Sequence, residues 1–227
     1  MHLLIKDIRM KLKAVVFDMD GTIMDSMPFW NSIGAWYLRS LGIEPTEDLG
    51  KKFIGMSLED AEVYLKENYN LPHSVDEIGK GILEQTDIFY ENHVELKEGM
   101  MEFLLKLKER NIPTAIATVT DKPLALKALK RTGIEDLIGG VVSTQEVGVS
   151  KHKPDVFLKA CEFTNTKPSE TLVIEDTLKS IVTANEAGFK TAAVYDEAAK
   201  DSQGEMMAIA DFYLDEKLDY NKLLKLF

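Results

Sequence analysis

The sequence predicts an α/β fold: a parallel sheet covered by helices, with an all-helical segment inserted after the first strand. Three observations predict it. The run Ala14-Val15-Val16-Phe17 is short, apolar and β-branched and ends in acidic residues, as a buried parallel strand does at its C-terminal tip. From about residue 96 onward, strand-like runs alternate with helical ones, the pattern of a sheet with helices on both faces. Between them, residues 26 to 94 hold no buried-strand pattern but repeated helical spacing.

The elements follow in order. Gly21 lets the chain turn as it leaves the first strand. In the helical segment, apolar residues recur at Trp30, Ile33, Tyr37 and Leu41, then at Leu58, Ala61, Leu65 and Tyr69. Ser57-Leu58-Glu59-Asp60 has the form of a capping box, and Ser74 to Asn92 reads as a further long helix. Hinges are expected near Met24 to Pro28 and near His93 to Lys97. A helix from Gly99 to Arg110 then precedes a strand from Pro113 to Thr118, and a helix from Lys122 to Thr132 stops at Gly133. Gly140 to Ser143 reads as a strand, Pro154 to Thr164 as a helix, and 171 to 175 as a strand. A helix over 177 to 187 closes at Gly188, and strands at Lys190 to Tyr195 and near Asp211 to Leu214 lead to a short C-terminal helix. The expected domains are a core of residues 11–25 and 96–227 and a helical domain of residues 26–95.

Composition bounds the partners. The chain of 227 residues is 45% hydrophobic and 29% charged, enough to bury a core. A net charge of -11 argues against general nucleic-acid or anionic-membrane binding. It leaves open a phosphorylated substrate, because a bound cation and a local lysine would dominate the field at a site. No apolar stretch approaches the ~20 residues needed to span a bilayer. Residues 1 to 10 mix His2, Lys6, Asp7 and Arg9 among aliphatics and lack a signal-peptide pattern, so a cytoplasmic protein is expected, with Met10 as the start and the first nine residues as an extension. Cys161, the sole cysteine, falls in a helical run and reads as a core residue; the histidines show no metal-binding spacing. A monomer is the default expectation.

The chemistry starts at Asp18-Met19-Asp20-Gly21-Thr22. Two carboxylates at a strand tip, with a glycine turn behind them, can converge on one pocket, one as nucleophile and the other as proton shuttle, and together attract a hard divalent cation. Downstream, Thr118 ends a hydrophobic strand, Lys151 precedes the helix start Pro154-Asp155, and Glu175-Asp176 ends another strand. Taken singly, Thr118 could be a strand-end hydroxyl, Lys151 a surface lysine, and Glu175-Asp176 an acidic pair at a helix N-terminus. In this order and at these spacings, the four motifs resemble the haloacid dehalogenase-like (HAD) superfamily over roughly residues 11 to 215.

That resemblance implies a Rossmann-like parallel core, the HAD fold, carrying a helical cap of the C1 class. It implies an enzyme that transfers the phosphoryl group of a small phosphorylated metabolite, a sugar phosphate or nucleotide-like monoester, to water through an aspartyl-phosphate. Asp18 is then the nucleophile and Asp20 the acid and base. Thr118 and Lys151 bind the phosphoryl group. Asp18, the Asp20 backbone carbonyl and Asp176 hold Mg2+, with Glu175 acting directly or through a water of the ion. Lys151 matches the family spacing better than Lys153. His152 stands where the family often has proline and Ser180 where it often has glycine, departures expected to alter loop geometry only. Asp20 separates the chain from true haloacid dehalogenases, and the overall pattern looks like the β-phosphoglucomutase-like phosphatase group. Where mutases of that group carry a cap histidine and arginine, Trp30 and Leu58 stand here; Leu58 also stands near the place of the phosphonoacetaldehyde hydrolase lysine, with Lys51 and Lys52 several residues earlier. These substitutions favour a phosphatase. A β-phosphoglucomutase-like phosphomutase is the alternative, and a noncatalytic binding or regulatory protein on the same scaffold the lower one. Phe29 and Trp30 are the aromatics expected to face substrate.

Overall fold

Residues 12–53 and 56–227 are described by the computed structural model. The expectation that residues 1–9 are an extension, and that Met10 is the start, lies outside the described residues, as does residue 11 of the expected core.

Among the described residues the chain first forms β1 (Ala14–Phe17), every residue of which is buried. It then passes into five helices: α1 (Met27–Trp30), α2 (Ile33–Ser40), α3 (Leu49–Phe53), α4 (Leu58–Asn68) and α5 (Val75–Asn92). The periodicity from Trp30 to Leu41 is divided between α1 and α2, because the chain turns at Asn31 and Ser32, where Ser32 Oγ donates to Pro28 O at 2.6 Å. Ser57 and Asp60 form the expected capping box at α4, and Ser74 with Glu77 forms another at α5. These helices make one compact unit, Ser26–Val94.

The second unit holds the described residues up to Asp25 together with Glu95–Phe227. Here α6 (Met100–Glu109), β2 (Thr114–Thr118), α7 (Lys122–Thr132), β3 (Val141–Ser143), α8 (Thr144–Val147), α9 (Asp155–Thr164), β4 (Thr171–Glu175), α10 (Leu178–Glu186), β5 (Lys190–Val194), α11 (Gln203–Ile209) and β6 (Phe212–Leu214) follow in turn. Two of these helices, α8 and α11, add to the expected elements, and the C-terminal helix is a 3-10 segment, Tyr220–Leu226. Gly133 ends α7 in the left-handed conformation, φ 72°, which a side chain would strain.

All strands run parallel in one sheet of order β3-β2-β1-β4-β5-β6. Side chains of β1 alternate between its faces, as a strand's period of two requires. Val16 joins Val156, Phe157 and Ala160 of α9 in one core, with Cys161 among them as expected. Phe17 points the other way and meets Phe103 of α6 edge-on, ring centroids 6.1 Å apart. Because both faces are covered, the central strands carry near-continuous apolar runs, β1 entirely so, with the polar residues of β2 and β4 (Thr114, Thr118, Thr171 and Glu175) at their ends. Phe17 aligns with Ile116 on one side and Ile174 on the other, so the tips of β2, β1 and β4 end side by side. The chain leaves β1 toward β2 on one flank and returns to pair with β1 through β4 on the other. Such a switch point is where open α/β sheets open a crevice for ligands.

Candidate active site

At the tip of β1 the backbone folds back on itself. Met19 O accepts from the N–H groups of Ile23 and Met24, and Gly21, at φ 82°, donates to Met24 O. This turn sends Asp18 and Asp20 out at the same end of the sheet, next to Thr118 at the end of β2 and Glu175-Asp176 at the end of β4. The residue expected from a loop, Lys151, joins them just before α9. It is buried, whereas Lys153 is exposed, so Lys151 is the lysine among the site's groups.

Lys151 Nζ donates to Asp18 Oδ1 and, at 2.9 Å, to Glu175 Oε1, and it lies 5.7 Å from the Phe157 ring centroid. The other Glu175 oxygen accepts from Thr177 N and Thr177 Oγ1, both at 2.8 Å. Ser180 Oγ lies 2.8 Å from the Thr177 hydroxyl, so the serine that departs from the family pattern supports this contact. Carboxylate oxygens of Asp18, Glu175 and Asp176 all lie within 4.8 Å of one another, and all three residues are buried.

Burial at this density moves the protonation equilibria. Asp18 is pushed up to about 7: burial dominates, Lys151 opposes it, and Glu175 and Asp20 add to the rise. Burial, followed by the charges of Glu175 and Asp18, holds Asp176 well above the usual carboxylate range. Burial would also raise Glu175, but the Lys151 ammonium and the Thr177 hydrogen bonds outweigh it, so Glu175 stays ionised below its ordinary value. For Lys151, burial is outweighed by Asp18 and Glu175, and the ammonium is held charged.

Three carboxylates share one ammonium, a deficit of two positive charges when all are ionised. A divalent cation cancels it, and the donors, all carboxylate oxygens, suit a hard ion. The donor set therefore fits the metal that the sequence motifs imply.

Thr118 is buried at the end of β2, and its Oγ1 accepts the N–H of Thr120 at 3.0 Å. That leaves the Thr118 proton available to donate elsewhere. Asp20 is half-buried and accepts at Oδ2 from Thr120 Oγ1 at 2.6 Å. Thr120 and Thr177 escaped the sequence reading. A threonine two residues beyond a strand-end Thr or Glu is the local signal that could have found both, since short hydroxyl side chains fold back onto such turns. A buried ion pair, Lys97 Nζ to Asp196 Oδ2 at 2.6 Å, was also unforeseen.

The two expected substrate aromatics belong to the helical unit and fare differently. Phe29 is 3% exposed, its ring stacked on Phe89 at 4.0 Å with the edge of Trp36 5.2 Å away. Its ring contacts with Phe89, Trp36 and Trp30 are packing within the helical unit. Trp30 is half-buried, and its Nε1 donates to Tyr90 Oη at 3.1 Å.

The parallel sheet and acidic strand tips define a hydrolase of the HAD type. The chain belongs to the haloacid dehalogenase-like hydrolase family, whose model matches residues 15–194. It is similar to the phosphorylated carbohydrates phosphatase of Thermotoga maritima, 28% identical over 79% of this chain and 83% of that protein. It is likewise similar to the N-acetylmuramic acid 6-phosphate phosphatase of Pseudomonas putida, 28% identical over 82% of this chain and 83% of that one. Among solved structures, one from Thermotoga maritima with a provisional beta-phosphoglucomutase name superposes with a TM-score of 0.83 at 26% identity, covering 94% of this chain and 99% of that one. Among the described residues no helix is long and apolar enough to cross a membrane.

Proposed function

We propose that this chain is a Mg2+-dependent phosphatase of small phosphorylated metabolites, sugar phosphates first among them, working through an aspartyl-phosphate. The observation that supports it most is the lysine-bridged cluster, in which Lys151 holds both Asp18 and Glu175 with Asp176 alongside. In this reading Asp18, Asp176, Glu175 and the Asp20 backbone carbonyl hold Mg2+, which supplies charge neutralisation around the phosphoryl oxygens.

The chain's own residues do the rest. An Asp18 carboxylate oxygen attacks phosphorus, and the bond to the ester oxygen breaks. Asp20 gives its proton to that departing oxygen. It then takes a proton from the water that attacks phosphorus, and the bond to Asp18 breaks to release phosphate. Lys151 opposes the burial that raises Asp18 and, with the Thr118 hydroxyl, meets charge on the transferring group. Phosphoryl transfer demands little more than alignment and charge stabilisation, which is what this cluster offers. The helical insertion, residues 26–95 against a core of 11–25 and 96–227, is the part that selects the substrate.

The relatives named for phosphorylated carbohydrates and N-acetylmuramic acid 6-phosphate support a sugar phosphate as substrate. The test is phosphate release from a panel of sugar phosphates, nucleotides and p-nitrophenyl phosphate, with Mg2+ or EDTA, beside Asp18→Asn. Metal-dependent release that the variant lacks is expected. No release from any compound by folded, Mg2+-loaded protein would overturn the reading, and isomerised product with little free phosphate would replace it with a mutase.

A further inference from the structure

We propose that Thr120 positions the acid–base carboxylate: its hydroxyl fixes the Asp20 side chain for proton transfer to the leaving oxygen. This rests on the phosphatase reading above. The hydrogen bond from Thr120 Oγ1 to Asp20 Oδ2, at 2.6 Å, joins residues 100 apart in the chain. It links the loops that follow two adjacent parallel strands, β1 and β2, whose register sets Phe17 beside Ile116. Thr120 is itself held, because its N–H donates to Thr118 Oγ1 at 3.0 Å. A rigid strand end therefore fixes Thr120, and Thr120 reaches across to Asp20.

The contact selects between the two oxygens of the carboxyl group. A threonine hydroxyl has one proton to give. With that proton directed at Oδ2, Oδ1 is the oxygen turned to proton transfer. When the ester bond breaks, Oδ1 gives its proton to the departing oxygen and the group becomes a carboxylate, still accepting from Thr120 at Oδ2. Asp18 needs no such help, since Lys151 holds it. Lys151 donates to Asp18 and Glu175, while Asp20 takes a hydrogen bond from Thr120. Misorienting a general acid forfeits acceleration without altering substrate binding.

A general acid matters most when the leaving group is poor. The value of kcat/KM reports the steps up to departure of that group, before water enters. We would therefore compare kcat/KM for an alkyl phosphate and for p-nitrophenyl phosphate in wild type, Thr120→Val, Thr120→Ser and Asp20→Asn. Thr120→Val should lose about 10- to 100-fold more on the alkyl ester than on the nitrophenyl ester. Thr120→Ser should restore the alkyl rate, and Asp20→Asn should show the same selective loss, larger. Mg2+ affinity measured calorimetrically should be retained in Thr120→Val, which separates misplacement of the acid from damage to the acidic cluster. A uniform loss on both esters, no loss, weakened Mg2+ binding, or failure of the serine to rescue overturns the proposal. If Asp20→Asn itself shows no selectivity, the phosphatase role of Asp20 fails and the proposal with it. If Asp20→Asn is selective and Thr120→Val is not, only the proposal fails.

Discussion

Replacing Lys151 with methionine keeps the length of the side chain and removes the ammonium from a cluster of buried carboxylates. Lys151 and Asp18 are 7% and 6% exposed, and Glu175 is 1% exposed, so solvent screens little of the loss. Removing one partner of a buried, hydrogen-bonded ion pair costs about 3–5 kcal/mol, because the remaining charge stays buried without its counterion. The upper end requires both Asp18 and Glu175 to remain ionised. Asp18, already pushed up to about 7, relieves part of the penalty by taking a proton. A carboxyl whose folded pKa lies above its unfolded value stabilises the fold at low pH, and that contribution is lost as pH rises through the folded pKa. Without Lys151, Asp18 shifts further up, so the variant's deficit should be smaller at pH 6 and larger at pH 8. Urea unfolding in EDTA at both pH values measures this, with equal slopes confirming that stability and not compactness has changed. A loss below about 1 kcal/mol at pH 8, or the same loss at both pH values, would refute the claim that Lys151 neutralises this cluster.

Further outcomes follow from the same site and from the helical unit. In wild type, Asp18 and Asp176 both sit above their ordinary range; the metal-free protein loses the stabilising contribution of the Asp18 proton as pH rises from about 4 through 7, and Asp176 acts in the same direction. Mg2+ should therefore raise the Tm more at pH 8 than at pH 5, read by calorimetry; an equal rise at both would contradict the shared acidic site. Phe29→Ala should destabilise the protein by about 3–5 kcal/mol in urea, the cost of emptying a packed aromatic position, and a loss near zero would return that ring to the surface.

Much of this was legible in the sequence for physical reasons. A strand buried on both faces must be short, apolar and β-branched, which is how Ala14–Phe17 announced itself. Gly133 and Gly188 closed their helices where a left-handed residue was required. Ser57 and Asp60 stood at the spacing of a reciprocal cap. The site was legible in order along the chain because each strand tip must deliver its own side chain. What escaped depended on tertiary neighbours. Thr120 and Lys97 find their partners 100 and 99 residues away, a distance no local pattern bridges. For Phe29, helical spacing says that an aromatic lies on an apolar face without saying what covers it. Phe89, from the far end of α5, covers this one. The short helix α8 fell in a stretch too brief for periodicity to register, although Ser143 and Glu146 cap it.

The central claim is that Asp18 becomes covalently phosphorylated, and trapping that species tests it most directly. Wild-type protein mixed with Mg2+ and its best phosphate-labelled substrate would be acid-quenched within milliseconds and digested, and the labelled peptide identified. The account predicts label on the peptide carrying Asp18, chased by unlabelled substrate and absent from Asp18→Asn. Release of phosphate at full rate with no label on that peptide, or with label on another residue, would contradict it.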